Sequence, residues 1–468
     1  MYKSFFDNQD QGFWSPRKII NNCLPIIEGR FYVPTKSVDQ YDLISLKLQG
    51  KCLIMKDGST EIYADIENAC LIRMEQQGIC LIKNQIEFQL YGSNVDDFFI
   101  NLKQYCLQSD FQSKYHLLSV IGQGNFAKVI KARNKHNLAE NAVKVFDKSS
   151  FSLLSDRSAL VKEIHILRQL SHSNIIQLHE VFETKTQIYL VFDYLSGGDL
   201  TNFINTQQLI TEEQAKLIMM ELLNALLYMH SKGIFHRDIK PQNLLLRKKG
   251  QITDLVIADL GLADYYRRDG KYMFTRCGTP GYVAPEILLD YPYDFKVDIY
   301  SLGALLYVML TGKPLFKGAT EQETVQLNTD NNLDFSNTSL SKPCIDLLNN
   351  MLNKNPLFRY SISQCKTHEW FQLDTQPIFI RLRHSMKSKL QFNLDLNSED
   401  SSPSSPKKSQ KLFKIKTNLL SPRLSGSSTS SFERQCQKSR ITCKTEPSEQ
   451  KSTFNKLKLS KQRQSQKY

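Results

Sequence analysis

The chain has 468 residues, 41% of them apolar, with 26 Phe and 20 Tyr, which is enough for a real core and for roughly two to four domains. Its formal charge of +13 is uneven: residues 375–468 hold 20 Lys/Arg against 6 Asp/Glu, which leaves residues 1–374 near −1 and argues against a nucleic-acid binder along the whole length. Ten scattered cysteines with no C-x-x-C pair argue against both a metal-ligand spacing and a disulfide framework, and fit reduced thiols. The apolar runs are too short to span a bilayer, and "MYKSFFDNQDQG" lacks the apolar stretch of a signal peptide. Tyr2 stands where N-myristoylation needs glycine, so a soluble, cytoplasmic protein is expected, with nuclear entry left open.

After an N-terminal extension (1–27), residues 28–108 alternate short β-like runs with turns: "RFYVP", "LISLKLQ", "KCLIM", "EIYAD", "ACLIRM", "ICLIK" and "IEFQLYG". The period then changes in "SNVDDFFINLKQYCLQ", where Phe98, Phe99, Leu102, Tyr105 and Cys106 share one helical face. Strands closed by a C-terminal helix resemble a pleckstrin-homology-like barrel. That family's closing helix usually carries a Trp, for which Phe98 or Phe99 would stand. Lys36, Lys47 and Lys51 are too dispersed for a dense phosphoinositide grip, so packing against a neighbour or a protein partner is favoured over weak lipid binding.

Residues 115–371 read as a strand-rich part followed by a helix-rich part. "IGQGNFAKVIKA" (121–132) sets Gly122 and Gly124 where backbone can approach phosphate without a Cβ, with Ala127 at a third glycine position and Val129 as an apolar lid over a flat heterocycle. Lys144 lies within the strand-like "AVKVF" and needs an anion, because an unpaired buried ammonium is costly. A snorkelling edge-strand lysine is the plainer alternative. Glu163 in the amphipathic "ALVKEIHILRQL" (159–170) offers the carboxylate.

Helical periodicity returns in 211–233, opened by a Thr211 cap and stopped by Gly233, and again in 296–312. Between them "FHRDIKPQNLLL" (235–246) carries Asp238, Lys240 and Asn243, and "IADLGLAD" carries Asp259. Such hard oxygen groups suit Mg²⁺, which takes one or two carboxylates plus substrate phosphates. "TRCGTPGYVAPE" (275–286) adds Thr275 and Thr279.

These motifs, in this order, make residues 115–371 resemble a eukaryotic protein kinase. The resemblance implies an α+β bilobal fold, with a β-rich small lobe and an α-rich large lobe, preceded by the small barrel and followed by a disordered tail. It implies ATP and Mg²⁺ as cofactors. Ile121, Gly122, Gly124 and Val129 would cover the nucleotide, and Lys144 would hold its phosphates while paired to Glu163. Ala142, the hinge Asp193–Leu195 behind Phe192, Asp199 and Leu245 would complete the nucleotide site. Asp238 would orient the substrate hydroxyl, Lys240 would neutralise charge, and Asn243 and Asp259 would bind metal. Leu260 stands where the family most often has Phe, and with Leu167, Leu178 and His236 would form a stacked spine.

Lys240 and Thr279 resemble the serine/threonine branch, and "GNFAKV", "HSNIIQLHEVFET" and "YLVFDYLSGGDL" resemble its calcium/calmodulin-dependent group. Substrates with upstream basic residues are implied, although Gln242 replaces an acid often used to read them. Arg237, unpaired beside Asp238, would need a counter-charge that phosphorylated Thr275 supplies, with simple charge balance against Asp238 as the plainer alternative. Glu286 would pair with Arg359.

The tail (372–468) is Ser-rich and basic, and is expected to be largely disordered. Its segment 377–394 mixes Ile380, Met386 and Leu390 with Arg381, Arg383, Lys387 and Lys389. That pattern suits calmodulin, an acidic membrane or a self-inhibitory contact, and equally a solvated capping helix. No EF-hand loop supports direct calcium binding. Two rival classes are a scaffold with a kinase-shaped centre and a nonspecific nucleic-acid binder; the tail has few aromatics for base stacking, so no specific nucleic acid is expected.

Overall fold

The computed structural model describes residues 4–7, 13–15, 25–35, 40–57, 60–75, 77–124, 127–206, 210–270, 272 and 276–372. Thr275, Lys36 and the segment 377–394 lie outside the described residues.

Seven strands open the chain: β1 (Pro25–Pro34), β2 (Tyr41–Gln49), β3 (Cys52–Asp57), β4 (Thr60–Asp65), β5 (Cys70–Met74), β6 (Gly78–Lys83) and β7 (Ile86–Tyr91). They form two antiparallel runs, β1–β4 and β5–β7, joined where Tyr32 pairs with Tyr91. The described strands are one open ladder rather than a closed ring, since β4 ends it and does not pair with β5. The N-terminal extension adds to this layer, with Ser15 bridging to Tyr63 and Phe13 and Trp14 packing on Phe88.

Helix α1 (Val95–Leu102) closes the layer by burying Val95, Phe98 and Leu102. It is shorter than the apolar spacing predicts: the chain turns after Leu102, so Tyr105 and Cys106 reach the core from beyond the helix. Phe98 is the anchor, fully buried with its ring 4.7 Å from that of Phe31. Phe99 instead lies under Lys103 and Arg73.

Next come β8 (Leu107–Gln108) and α2 (Phe111–Lys114). The following sheet holds β9 (Tyr115–Gln123), β10 (Ala127–Asn134) and β11 (Glu140–Asp147), then helix α3 (Leu154–Gln169), then β12 (Leu178–Glu183) and β13 (Gln187–Asp193). Short β8 runs parallel both to β5 and to β12, so one thirteen-strand ladder crosses from the first layer into the second.

The helical part includes α4 (Leu200–Thr206), α5 (Glu212–Ser231), small two-stranded pieces β14 (Ile234–Phe235) with β17 (Asp264–Tyr265) and β15 (Leu244–Leu246) with β16 (Leu255–Ile257), then α6 (Pro285–Leu288), α7 (Lys296–Thr311) and four further helices between Glu321 and Gln372. Helix α5 starts on a capping box in which the Thr211 hydroxyl accepts from Gln214 N–H and the Gln214 side chain accepts from Thr211 N–H. It stops at Gly233, whose φ of +74° few other residues tolerate. Helix α7 is buried on nearly every face, the pattern of a central core helix. No described helix is long and apolar enough to cross a membrane.

Candidate active site

Three strands and one helix build the end where the sequence predicts a nucleotide. β9 and β10 pair Gly122 with Val129, and Gly124 N–H donates to Ala127 C=O at 2.8 Å, so the hairpin narrows over the edge of the sheet. In β11, Lys144 sits opposite Val129 on one side and Leu190 on the other, and Ala142 opposite Phe192. From α3, Glu163 reaches Lys144 at 2.7 Å, and Asp259 approaches the same ammonium at 3.5 Å. Burial disfavours the charged lysine, but the two carboxylates outweigh it and hold its pKa above the ordinary value. Lys144 in turn lowers the pKa of Asp259. The lysine is thus held by an ion pair, not snorkelling.

At the hinge, Leu195 packs on the large core, while the Asp193 carboxylate turns to His179 at 2.6 Å. Gly197 follows, so close to β15 that a Cβ there would lie 2.5 Å from the Leu246 Cβ. Asp199 bridges to Leu245 through backbone. Its carboxylate caps α4, accepting from Asn202 N–H at 2.8 Å and from the Asn202 amide at 3.0 Å.

The loop between β14 and β15 carries the polar groups. Asp238 Oδ1 accepts from the Thr279 hydroxyl at 2.7 Å, and Oδ2 accepts from the Asn243 amide at 2.9 Å and meets Lys240 Nζ at 2.7 Å. Lys240 also donates to Thr279 at 2.7 Å. Both carboxylate oxygens are therefore oriented by the protein itself. The spine positions Leu167, Leu178, His236 and Leu260 are all buried.

Arg237 corrects one expectation. It is not unpaired: its guanidinium is buried against Asp264 at 3.1 Å, Tyr293 Oη at 3.0 Å and Leu262 C=O at 2.8 Å. A fully buried guanidinium needs a carboxylate within the fold, and Asp264 supplies it while also binding Lys162 at 2.8 Å. Neither Asp264 nor Lys162 stands out in the sequence. Asp298 was missed as well: buried in α7, it accepts from the backbone N–H of His236 and of Arg237, at 2.9 and 2.8 Å, and meets His230 at 2.8 Å. The signal was available as a lone acid opening the apolar run "KVDIYSLGALL". Arg237 has φ +68° and Asp259 φ +56°, left-handed values that cost about 1–3 kcal/mol each and persist where surrounding bonds enforce them.

The oxygen groups fit a metal. Asn243 spends its amide nitrogen on Asp238, which leaves its carbonyl oxygen, and the Asp259 side chain is 55% exposed. Two hard oxygens with the remaining positions left to phosphate and water match what Mg²⁺ accepts. Among the described residues no cluster of three or more His, Cys, Asp or Glu offers a self-sufficient metal cage.

A β-rich lobe presenting a lysine braced from a helix, with a helical lobe presenting an oriented carboxylate, is the arrangement of the protein kinase class. The chain belongs to the protein kinase domain family, whose model matches residues 115–371. It is 38% identical over 273 residues to the mouse serine/threonine-protein kinase DCLK3, covering 57% of this chain and 34% of that protein. It is 35% identical over 290 residues to the rice (Oryza sativa subsp. japonica) CBL-interacting protein kinase 1, covering 58% and 59%. With the fission yeast (Schizosaccharomyces pombe) serine/threonine-protein kinase cds1 it shares 36% over 272 residues, covering 55% and 58%. The chain thus spans between about a third and three-fifths of the length of these curated relatives.

Proposed function

We propose that this protein is a serine/threonine protein kinase that transfers the γ-phosphate of ATP, with Mg²⁺, to hydroxyls of protein substrates. The observation that carries the reading is that the Lys144–Glu163–Asp259 cluster and the Asp238–Lys240–Thr279–Asn243 cluster occur together in one member of the kinase family. Lys144 binds the nucleotide phosphates, and Asp238 orients the substrate hydroxyl and accepts its proton. Lys240 offsets negative charge at the transferring group. Asn243 and Asp259 would hold the metal, which when bound supplies charge neutralisation on the phosphate oxygens.

Regulation is proposed at two places. Arg237 and Lys162 both contact the Asp264 carboxylate, and a phosphate on Thr275 is proposed to join these two cations. The basic segment 377–394 is proposed as a self-inhibitory or calmodulin-binding element, and the protein as cytoplasmic. The relative named as a CBL-interacting protein kinase supports a regulatory protein partner as a general arrangement.

The test is radiolabelled phosphate transfer from Mg-ATP to Ser/Thr peptides by the full chain, by Asp238→Asn and after metal chelation. Transfer by the native chain, lost in both other arms, supports the reading. Equal transfer by Asp238→Asn, or none by the native chain with Thr275 phosphorylated, overturns it.

A further inference from the structure

Helix α3 is held from two sides, and only one side is the active site. Glu163 faces Lys144, while His165, two residues on, lies about 200° further round a helix of 3.6 residues per turn. That opposite face meets the turn after β4. His165 Nδ1 lies 2.6 and 2.8 Å from the two carboxylate oxygens of Glu67. One turn further along, Arg168 donates to the Asn68 side chain at 2.6 Å and to Cys106 C=O at 3.3 Å, and its Nη1 lies 3.8 Å from Glu67. Lys51 closes the cluster, 2.6 Å from Glu67. The side chains of Arg168 and Glu67 are only 5% and 10% exposed, so this is an enclosed polar joint and not a surface ion pair.

The turn itself is rigidly built. Glu67 N–H donates to the Asp65 carboxylate at 2.9 Å, and Asn68, at φ +62°, donates its N–H to Tyr105 C=O at 2.9 Å. On the helix side, the His165 Nε2 and Gln169 amide lie 2.7 Å apart, and Gln169 reaches Tyr265 Oη at 2.6 Å. Tyr265 adjoins Asp264, the carboxylate that holds Arg237. The other end of α3 is gripped by the chain's own start: Arg157 covers the Phe5 ring at 4.8 Å, Phe5 N–H donates to Glu183 at 2.6 Å, and the Asp7 carboxylate accepts from Asn84 N–H at 2.9 Å.

We propose that Glu67 is a positioning residue for the Lys144–Glu163 pair: through His165 and Arg168, the N-terminal β-rich layer sets the rotation and depth of α3, and so acts as a built-in support for nucleotide binding. This rests on the kinase reading for its activity arm. A free helix can turn or slide outward and take Glu163 from Lys144. A helix held on both faces cannot do so without breaking the Glu67 joint.

The test uses the full chain as Glu67→Gln, His165→Leu, Glu163→Gln and the double Glu67→Gln/Glu163→Gln. Two readouts are taken: kcat/KM for ATP, and amide hydrogen exchange of residues 160–168 without nucleotide. Expected are a fall of about tenfold or more in kcat/KM for Glu67→Gln, faster exchange in α3, and no further fall when Glu67→Gln is added to Glu163→Gln, because both act through one pair. A merely structural role would subtract the same factor again in the double variant, and would overturn the proposal. So would native exchange and kcat/KM within twofold of native in Glu67→Gln. Should Glu67→Gln not fold, His165→Leu removes the same contact from the helix side and is judged by the same two criteria. A native chain that transfers no phosphate would defeat the kinase reading alone, and the exchange arm would still decide the positioning role.

Discussion

Arg359 sets its two terminal nitrogens on the two carboxylate oxygens of Glu286, at 2.6 and 2.9 Å, with both side chains buried. Its Nη1 also donates to Lys296 C=O at 3.0 Å, and its Nε to Asn353 C=O at 3.0 Å, so one guanidinium ties the end of the 275–286 segment to α7 and to the chain near residue 353. Arg359→Ala leaves a buried carboxylate without its partner, which typically costs about 3–5 kcal/mol. A lowered midpoint in chemical denaturation is expected. An unchanged midpoint would show that Glu286 finds another cation.

Asp238→Asn keeps the shape of the loop but removes the proton acceptor. A fall in kcat of about 10²–10⁴ is expected, with ATP affinity held within a few-fold, as general-base loss predicts. Single-turnover transfer together with equilibrium nucleotide binding checks this. A loss confined to binding would move Asp238 out of the chemistry.

Asp298 supports that loop without touching substrate. It accepts the N–H of Arg237, whose φ of +68° is unfavourable on its own, and the N–H of His236. Asp298→Ala leaves two buried donors unsatisfied, at about 1–3 kcal/mol each. Lower stability is expected, with a fall in kcat larger than any rise in KM for ATP. Denaturation and steady-state kinetics on the same preparation separate the two effects.

Acid should loosen the joint between Glu67 and α3. Burial pushes the Glu67 carboxyl up, but His165, Lys51 and Arg168 outweigh it and bring its pKa from 4.5 down to about 2. A carboxyl more acidic in the folded than in the unfolded chain stabilises the fold fully above the unfolded value, and that stabilisation is lost as pH falls from about 4.5 towards about 2. The term is on the order of 3 kcal/mol. Denaturation followed across that window should give a flatter pH dependence for Glu67→Gln than for the native chain; coincident slopes would refute the assignment.

The motif-borne part of the site was legible because each motif is local. The glycine hairpin, the Asp238–Asn243 turn and the Asp259 turn each lie within a dozen residues. The capping box of α5 was equally readable, since Thr211 and Gln214 are three residues apart. What failed was long range. Arg237 could not be matched to Asp264 by spacing, and Asp298 sits about sixty residues from the loop whose amides it binds. The helix predicted through Cys106 stops at Leu102, because the apolar face continues into a turn that still points at the core. The contact of the first β layer with α3 left no trace in composition, since Glu67, His165 and Arg168 each look like ordinary surface residues.

Strand β8 is only Leu107 and Gln108, yet it is the rung on which both halves of the ladder hang. A chain begun at residue 115, where the family match starts, would remove that rung and leave the outer backbone edge of β12 bare. Bare edges recruit strands from other molecules. The shortened protein should therefore self-associate, and mutations around Val181 and Phe182 would then be read wrongly as defects in catalysis when they are defects in keeping copies apart.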